Sequence, residues 1–145
     1  MIQIGTNLSN DYFDFKKGAD TSERLGPARV TQKGWLTPQQ VARATVLVFA
    51  TTIVSGIYLV AVGGWPIVVI GLVSVACGVL YTGGPKPLGY LGLGDLFVFI
   101  FFGPVAVCGT YYVQSLSVST TAMLVSLPIG YLTTAILVVN NLRDR

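Results

Sequence analysis

The sequence predicts an all-α fold, a multi-spanning transmembrane helical bundle, and two observations carry that prediction. Of the 145 residues, 52% are hydrophobic and 10% charged, where an ordinary soluble domain carries about 25% charged residues. The charges are also segregated: residues 44 to 85 contain none, and neither do residues 96 to 142. A helix needs roughly 20 apolar residues to cross about 30 Å of hydrocarbon, so each uncharged stretch holds two spans and a turn. The expectation is four complete spans, preceded by the end of a further helix.

The elements follow in order. Ile2 to Asn10 reads as the last turns of a helix leading into Asp11, so the chain is expected to be an internal stretch of a longer protein. Residues 15 to 36, FKKGADTSERLGPARVTQKGWL, form a basic polar loop. Gly18, Gly26, Pro27 and Gly34 punctuate it and exclude a span there. Thr37-Pro38-Gln39-Gln40 supplies an N-cap, a proline at the first helical position and a glutamine at the third, and the first span runs over about 41 to 62. Gly63-Gly64-Trp65-Pro66 is a tight turn that sets an indole at the headgroup level. Pro66 opens a second helix ending near Tyr81, which completes a helical hairpin. After the loop 82 to 94, TGGPKPLGYLGLG, a third helix covers about 95 to 114 and a fourth about 119 to 141. Pro104 and Pro128 lie inside these two helices and are expected to kink them, which is tolerated where neighbouring helices satisfy the freed carbonyls.

Four spans place loop 15 to 40, loop 82 to 94 and the tail from 142 on one side of the membrane. All nine basic and all six acidic residues lie on that side, and the positive-inside rule makes it cytoplasmic. Insertion alone accounts for the basic residues. It does not require the acidic ones, whose co-segregation points to a polar site on that face.

Two clusters carry the chemistry. In Asn7-Leu8-Ser9-Asn10-Asp11-Tyr12-Phe13-Asp14, positions 7, 10, 11 and 14 share one helical face, so two carboxylates and two amides converge. Like charges one turn apart repel, and acidic residues at a helix C-terminus oppose its dipole, so a counter-ion is implied. Mg²⁺ suits such oxygen ligands, commonly one or two carboxylates plus substrate phosphates. The second cluster, Asn140-Asn141-Leu142-Arg143-Asp144, repeats the Asn-to-Asp spacing of Asn7 and Asp11 at the end of another apolar helix. Between them, Lys86 and the glycines of Tyr81-Thr82-Gly83-Gly84-Pro85-Lys86-Pro87 offer a cation and backbone N–H groups to an anion, or simply a turn. Arg24, Arg29 and Lys33 read equally as topology signals or phosphate ligands. With no histidine and both cysteines, Cys77 and Cys108, inside predicted spans, a zinc site, a haem site and a Ser-His-Asp triad are unsupported.

NLSNDYFDFKKGAD resembles the first Asp-rich motif of UbiA-type prenyltransferases, in the form N-x-x-N-D-x-x-D-x-x-x-G-x-D. ERLGPARVTQKG, then YTGGPKPLGYLGLGD followed by FVFIFFGPVAVCGTYYVQ, and finally NNLRD are similar in order and spacing to the branch of that family acting on 1,4-dihydroxy-2-naphthoate. The resemblance covers nearly the whole chain. It implies a helical bundle around a central cavity, in which the two Asp-rich motifs hold Mg²⁺ and a polyprenyl diphosphate at the cytoplasmic mouth. Carried over residue by residue, it makes Asp11, Asp14, Asp144, Asn7 and Asn10 the metal ligands. Lys86, Arg24, Asn140 and Asp20 become the diphosphate contacts, and Asp11, Asp14, Lys86 and Tyr81 the catalytic groups.

The implied reaction transfers the polyprenyl group to 1,4-dihydroxy-2-naphthoate with loss of CO₂ and diphosphate, giving demethylmenaquinol. The implied setting is the inner, cytoplasmic cell membrane, with the lipid bilayer as a partner and no nucleic acid. Residues 1–145 then read as a single transmembrane prenyltransferase domain, expected to be truncated at both ends, its second motif stopping short of a further carboxylate. The alternatives are a prenyltransferase of the same type acting on 4-hydroxybenzoate, homogentisate or haem, and a transporter or non-catalytic membrane subunit. The last predicts charges spread through the depth of the bundle, and the span interiors have none.

Charge segregation generates a topological prediction. With Cys77 and Cys108 replaced, single cysteines at Lys33 or Gly84 should resist a membrane-impermeant thiol reagent added to intact cells, while one at Gly64 should react. The reverse pattern would invert the assigned orientation.

Overall fold

A computed structural model describes residues 1–19 and 29–143. Among the described residues every regular element is helical: α1 (Ile2–Lys17), α2 (Pro38–Gly63), α3 (Trp65–Leu80), α4 (Gly94–Ile100), a π-helical segment (Phe101–Val105), α5 (Ala106–Ser115) and α6 (Thr120–Arg143). Asp20, Arg24 and Asp144 lie outside the described residues.

Among the described residues three helices are long and apolar enough to cross a membrane: Pro38–Gly63, the continuous run Gly94–Ser115, and Thr120–Arg143. The fourth expected span is shorter. At 1.5 Å rise per residue, the 16 residues of α3 extend about 24 Å, less than the roughly 30 Å hydrocarbon thickness. The second expected helix, Pro66 to near Tyr81, is thus found within a residue of its expected bounds and is shorter than the other three. The reason lies in the flanks: Gly64 begins α3 only after the hairpin turn, and the Gly-rich loop after Tyr81 ends it.

Local sequence explains the ends. Thr37 caps α2 with a full capping box: Thr37 Oγ1 accepts from the Gln40 N–H at 3.3 Å, and Gln40 Oε1 accepts from the Thr37 N–H at 2.8 Å. Leu36 and the fully buried Val41 occupy the flanking positions of a hydrophobic staple. The α2–α3 hairpin turns at Gly64, in the left-handed half of backbone space (φ 68°), and leaves Trp65 76% exposed at the end of the bundle. The helix α1 runs past the acidic motif to Lys17 and closes at left-handed Gly18, whose N–H reaches the carbonyls of Asp14 and Phe15. Asp11 and Asp14 therefore sit inside regular helix.

The two prolines behave differently. In an α-helix the Pro104 ring would collide with the carbonyl four residues earlier. The wider π-helical turn relieves this, and the Ala106 N–H bonds Phe101 O, five residues back. Pro128 lies within the unbroken α6.

Packing joins α1 to α2 and α3, and α6 to α4, the π-helical segment and α5. Tyr112 of α5 links the groups by donating to the Gly63 carbonyl at 3.1 Å. Close approach depends on small residues, as expected where lipid gives helices no hydrophobic reason to associate. A Cβ on Gly103 would meet Ser126 O at 2.8 Å and Gly130 Cα at 2.9 Å. The distribution of burial is inverted relative to a soluble domain: Ser9, Asp11, Asp14, Thr31, Ser74, Thr82 and Ser126 are buried, while Val46, Leu47, Val54, Leu132 and Val139 face outward and exposed. So much outward apolar surface is compatible with lipid as the solvent, not water, and the chain is a multi-pass membrane protein.

The Gly103 contact is backbone on one side, so it cannot yield by rotating a side chain. Gly103→Ala should lower the melting temperature in detergent, corresponding to the roughly 1–3 kcal/mol cost of overpacking. Gly71→Ala, where no atom lies within 4 Å of the new Cβ, should not; equal stability of the two variants would contradict the packing.

Candidate functional site

The last two turns of α1 present Asn10, Asp11, Asp14 and Lys17 to two loops that arrive from far along the chain. The first, residues 29 to 36, forms one helical turn closed by left-handed Gly34 (φ 69°). Lys33 N–H bonds Arg29 O at 3.0 Å, Gly34 N–H bonds Thr31 O at 3.1 Å and Trp35 N–H bonds Val30 O at 3.0 Å, a Schellman-type closure. The first N–H groups of such a turn have no internal acceptor, and the Asp11 carboxylate supplies one. Its Oδ2 accepts from Val30 N–H at 3.0 Å, and its Oδ1 accepts from Thr31 N–H at 3.4 Å and from the Thr31 hydroxyl.

Asp14 is held by charge and by a phenol. Arg29 approaches Oδ2 at 3.3 Å, and the Tyr90 hydroxyl donates to Oδ1 at 2.7 Å. Asp11 is 5% and Asp14 8% exposed, so both carboxylates have lost most of their hydration. Burying an ion costs several kcal/mol unless partners replace the water, and these contacts are the replacement.

The second loop, residues 81 to 93, is fixed to the same helix. Thr82 donates its hydroxyl to Asn10 Oδ1 at 2.9 Å. Lys17 Nζ donates to the carbonyls of Thr82 and, at 3.3 Å, of Gly84, and lies 5.2 Å from the Tyr90 ring centroid. Glycines permit the fit: a Cβ at Gly83 would meet the Phe13 ring at 2.9 Å, and one at Gly94 would meet the Tyr81 hydroxyl at 2.6 Å. Burial pushes the Tyr81 phenol above its ordinary range, and the negative charges of Asp95 and then Asp14 add to the shift. Tyr81 is therefore a neutral hydroxyl at physiological pH.

The structure thus gathers Asn10, Asp11 and Asp14, with Tyr81 within their electrostatic reach. Asn7 is exposed one turn earlier on α1. Lys86 is exposed, and no hydrogen bond or ion pair is seen for it among the described residues; Lys17 grips the glycine loop. Asn140 is half-buried on α6, with no hydrogen bond to the α1 cluster among the described residues. Sequence reasoning missed Lys17, Thr31 and Thr82. Lys17 carried a usable signal, since it continues the stripe of positions 7, 10 and 14. Thr31 and Thr82 carried none, because their roles depend on loop closure over 20 and 72 residues.

No cluster of three His, Cys, Asp or Glu side chains occurs among the described residues. The donor set that does occur is two carboxylates and an amide oxygen without thiol or imidazole. It fits Mg²⁺, which takes one or two carboxylates and completes its shell with water and substrate phosphates.

A polytopic helical membrane protein with buried carboxylates where two loops close over a helix end defines the class. The description of the UbiA prenyltransferase family matches residues 1–145, and the chain belongs to that family. It is 39% identical over 150 residues to the 1,4-dihydroxy-2-naphthoate octaprenyltransferase of Escherichia coli (strain K12), covering 99% of this chain and 49% of that protein. It is 41% identical over 143 residues to the protein of the same name from Mycobacterium tuberculosis, again covering 99% and 49%. A more distant relative, UbiA prenyltransferase domain-containing protein 1 of Rattus norvegicus, is 35% identical over 141 residues, 95% of this chain and 41% of that one. The chain spans about half the length of the curated relatives it matches. No solved structure matches it.

The grip of Lys17 has a measurable consequence. Lys17→Met should speed hydrogen exchange at the Leu88 and Gly89 amides, which bond back to Leu80 and Tyr81. The expected acceleration is about threefold to tenfold, the scale of a single net hydrogen bond. Unchanged exchange would mean that the loop holds itself.

Proposed function

We propose that the chain forms part of an enzyme that transfers a polyprenyl group from polyprenyl diphosphate to 1,4-dihydroxy-2-naphthoate, releasing diphosphate and CO₂ and giving demethylmenaquinol. The observation that carries this reading is the buried Asp11–Asp14 pair, set inside a UbiA-family chain whose bacterial relatives bear that activity in their names. The site faces the cytoplasm across an inner, cytoplasmic membrane, in keeping with the charge segregation. Nucleic acid has no role in it.

Asp11, Asp14, Asn10 and Asn7, with Asp144 from the second motif, would hold Mg²⁺, which when bound would supply positive charge that makes diphosphate a better leaving group. Lys86, Arg24, Asn140 and Asp20 would be the diphosphate contacts. Arg29, paired with Asp14 at 3.3 Å, adds a cation that would turn from carboxylate to phosphate as charge develops there. When the allylic C–O bond breaks, its electron pair leaves with the diphosphate, and the ring face of Tyr81 steadies the cation that remains. The electron-rich naphthoate ring attacks, a C–C bond forms, and the carboxyl group departs as CO₂, its electron pair restoring aromaticity. The apolar helices keep water from the cation and give the prenyl tail a lipid-like bed.

Asp11→Asn tests the reading. In membranes containing the protein, with Mg²⁺, polyprenyl diphosphate and dihydroxynaphthoate, the variant should insert normally yet lose about 100-fold or more in turnover, the scale expected for removing a principal electrostatic group. Pyrophosphate release and prenylated naphthoquinol are the products to measure. Turnover by Asp11→Asn at normal Mg²⁺ dependence would sink the site assignment; prenylation of 4-hydroxybenzoate in place of dihydroxynaphthoate would sink the acceptor.

A further inference from the structure

Two like-charged carboxylates three residues apart on one helix have no reason of their own to point the same way. Each side chain rotates about two bonds, and their repulsion favours divergence. What fixes them comes from elsewhere. Asp11 Oδ1 accepts the hydroxyl of Thr31, 20 residues on, and Asp14 Oδ1 accepts the hydroxyl of Tyr90, 76 residues on, at 2.7 Å. Each of these two carboxylates thus takes a neutral hydroxyl donor, each donor from a different loop.

We propose that Thr31 and Tyr90 are positioning residues, which hold the Asp11 and Asp14 carboxylates in the orientation a divalent cation requires. The inference rests on the metal reading made above and extends it to two residues outside the Asp-rich motif. The physical distinction is charge. Arg29 also meets Asp14, but a guanidinium competes with an arriving cation for the same negative charge. A hydroxyl uses one lone pair of the carboxylate, leaves the others for the metal, and adds no positive charge to oppose it. Such supporting hydrogen bonds to ligating carboxylates orient the ligand and tune its affinity.

Both hydroxyls are themselves held. Thr31 is 4% exposed, and its Oγ1 also lies 3.4 Å from the Asp11 carbonyl oxygen. Tyr90 has its ring under the Lys17 ammonium, which limits its swing, while 54% of the residue remains exposed. Removing its hydroxyl therefore opens no cavity, and Tyr90→Phe should fold.

The test is Mn²⁺ titration followed by electron paramagnetic resonance, on the detergent-solubilised protein with pyrophosphate present, since it reads the metal without turnover. Thr31→Val and Tyr90→Phe should each weaken Mn²⁺ binding about 10- to 100-fold, the usual effect of losing a supporting hydrogen bond at a metal site. Thr31→Ser, which keeps the hydroxyl, should stay within about threefold of the unsubstituted protein. Circular dichroism should show the same helix content throughout; if Thr31→Val loses helix, Tyr90→Phe decides the matter. Unaltered Mn²⁺ affinity in Tyr90→Phe and Thr31→Val would overturn the proposal, as would equal losses in Thr31→Ser and Thr31→Val. Failure of the unsubstituted protein to bind Mn²⁺ would overturn the metal reading first, and the positioning role with it.

Discussion

Asp11 and Asp14 are removed from water on the same helical face, and each must recover in hydrogen bonds and countercharge what it loses in hydration, several kcal/mol per ion. Much of this end of the bundle follows from that requirement. The turn from Arg29 to Gly34 lends its unpaired N–H groups and the Thr31 hydroxyl to Asp11. Arg29 and Tyr90 meet Asp14. The glycine loop is drawn onto α1 by Asn10 and Lys17. A chain lacking the two carboxylates would have little to organise these loops, because the loops bury few apolar side chains of their own.

The requirement also explains why the polar groups lie inside and the apolar ones outside. Lipid satisfies the outward valines, leucines and isoleucines without any contribution from packing, so helices are brought together by small residues and backbone contact. Gly103 against Ser126 and Gly130 is one such contact, and Gly5 beneath the Phe49 ring is another. A π-helical turn at Pro104 keeps Gly94–Ser115 one continuous helical run. The short α3 ends where the Tyr81 loop must turn back over α1, so its length is set by the site as much as by the membrane.

The same arrangement gives the site its chemical character. Neutral hydroxyls and backbone amides meet the carboxylates together with the Arg29 guanidinium, and burial, with the charges of Asp95 and Asp14, raises the Tyr81 phenol above its ordinary range. The proposed reaction would make compatible demands on such a place, its anionic leaving group facing the polar end and its carbocation the apolar walls.

The sequence by itself determined the helical class, the approximate spans, the capping box at Thr37, the single polar face of the bundle and the Asn10-Asp11-Asp14 cluster. All of these depend on interactions within about one helical turn, or on the one-dimensional partition of residues between lipid and water, which composition and spacing record directly. The bounds of α3 were legible as well; the π-helical turn around Pro104 was not, because helix packing decides it. Tertiary structure alone decided that Thr31, Thr82 and Tyr90 close over α1, and which loop carbonyls Lys17 of α1 finds. These contacts join residues 20 to 76 positions apart, and a hydroxyl or ammonium carries no periodicity that says which distant carboxylate or carbonyl it will find; only the folded path of the two loops brings donor and acceptor within hydrogen-bonding distance.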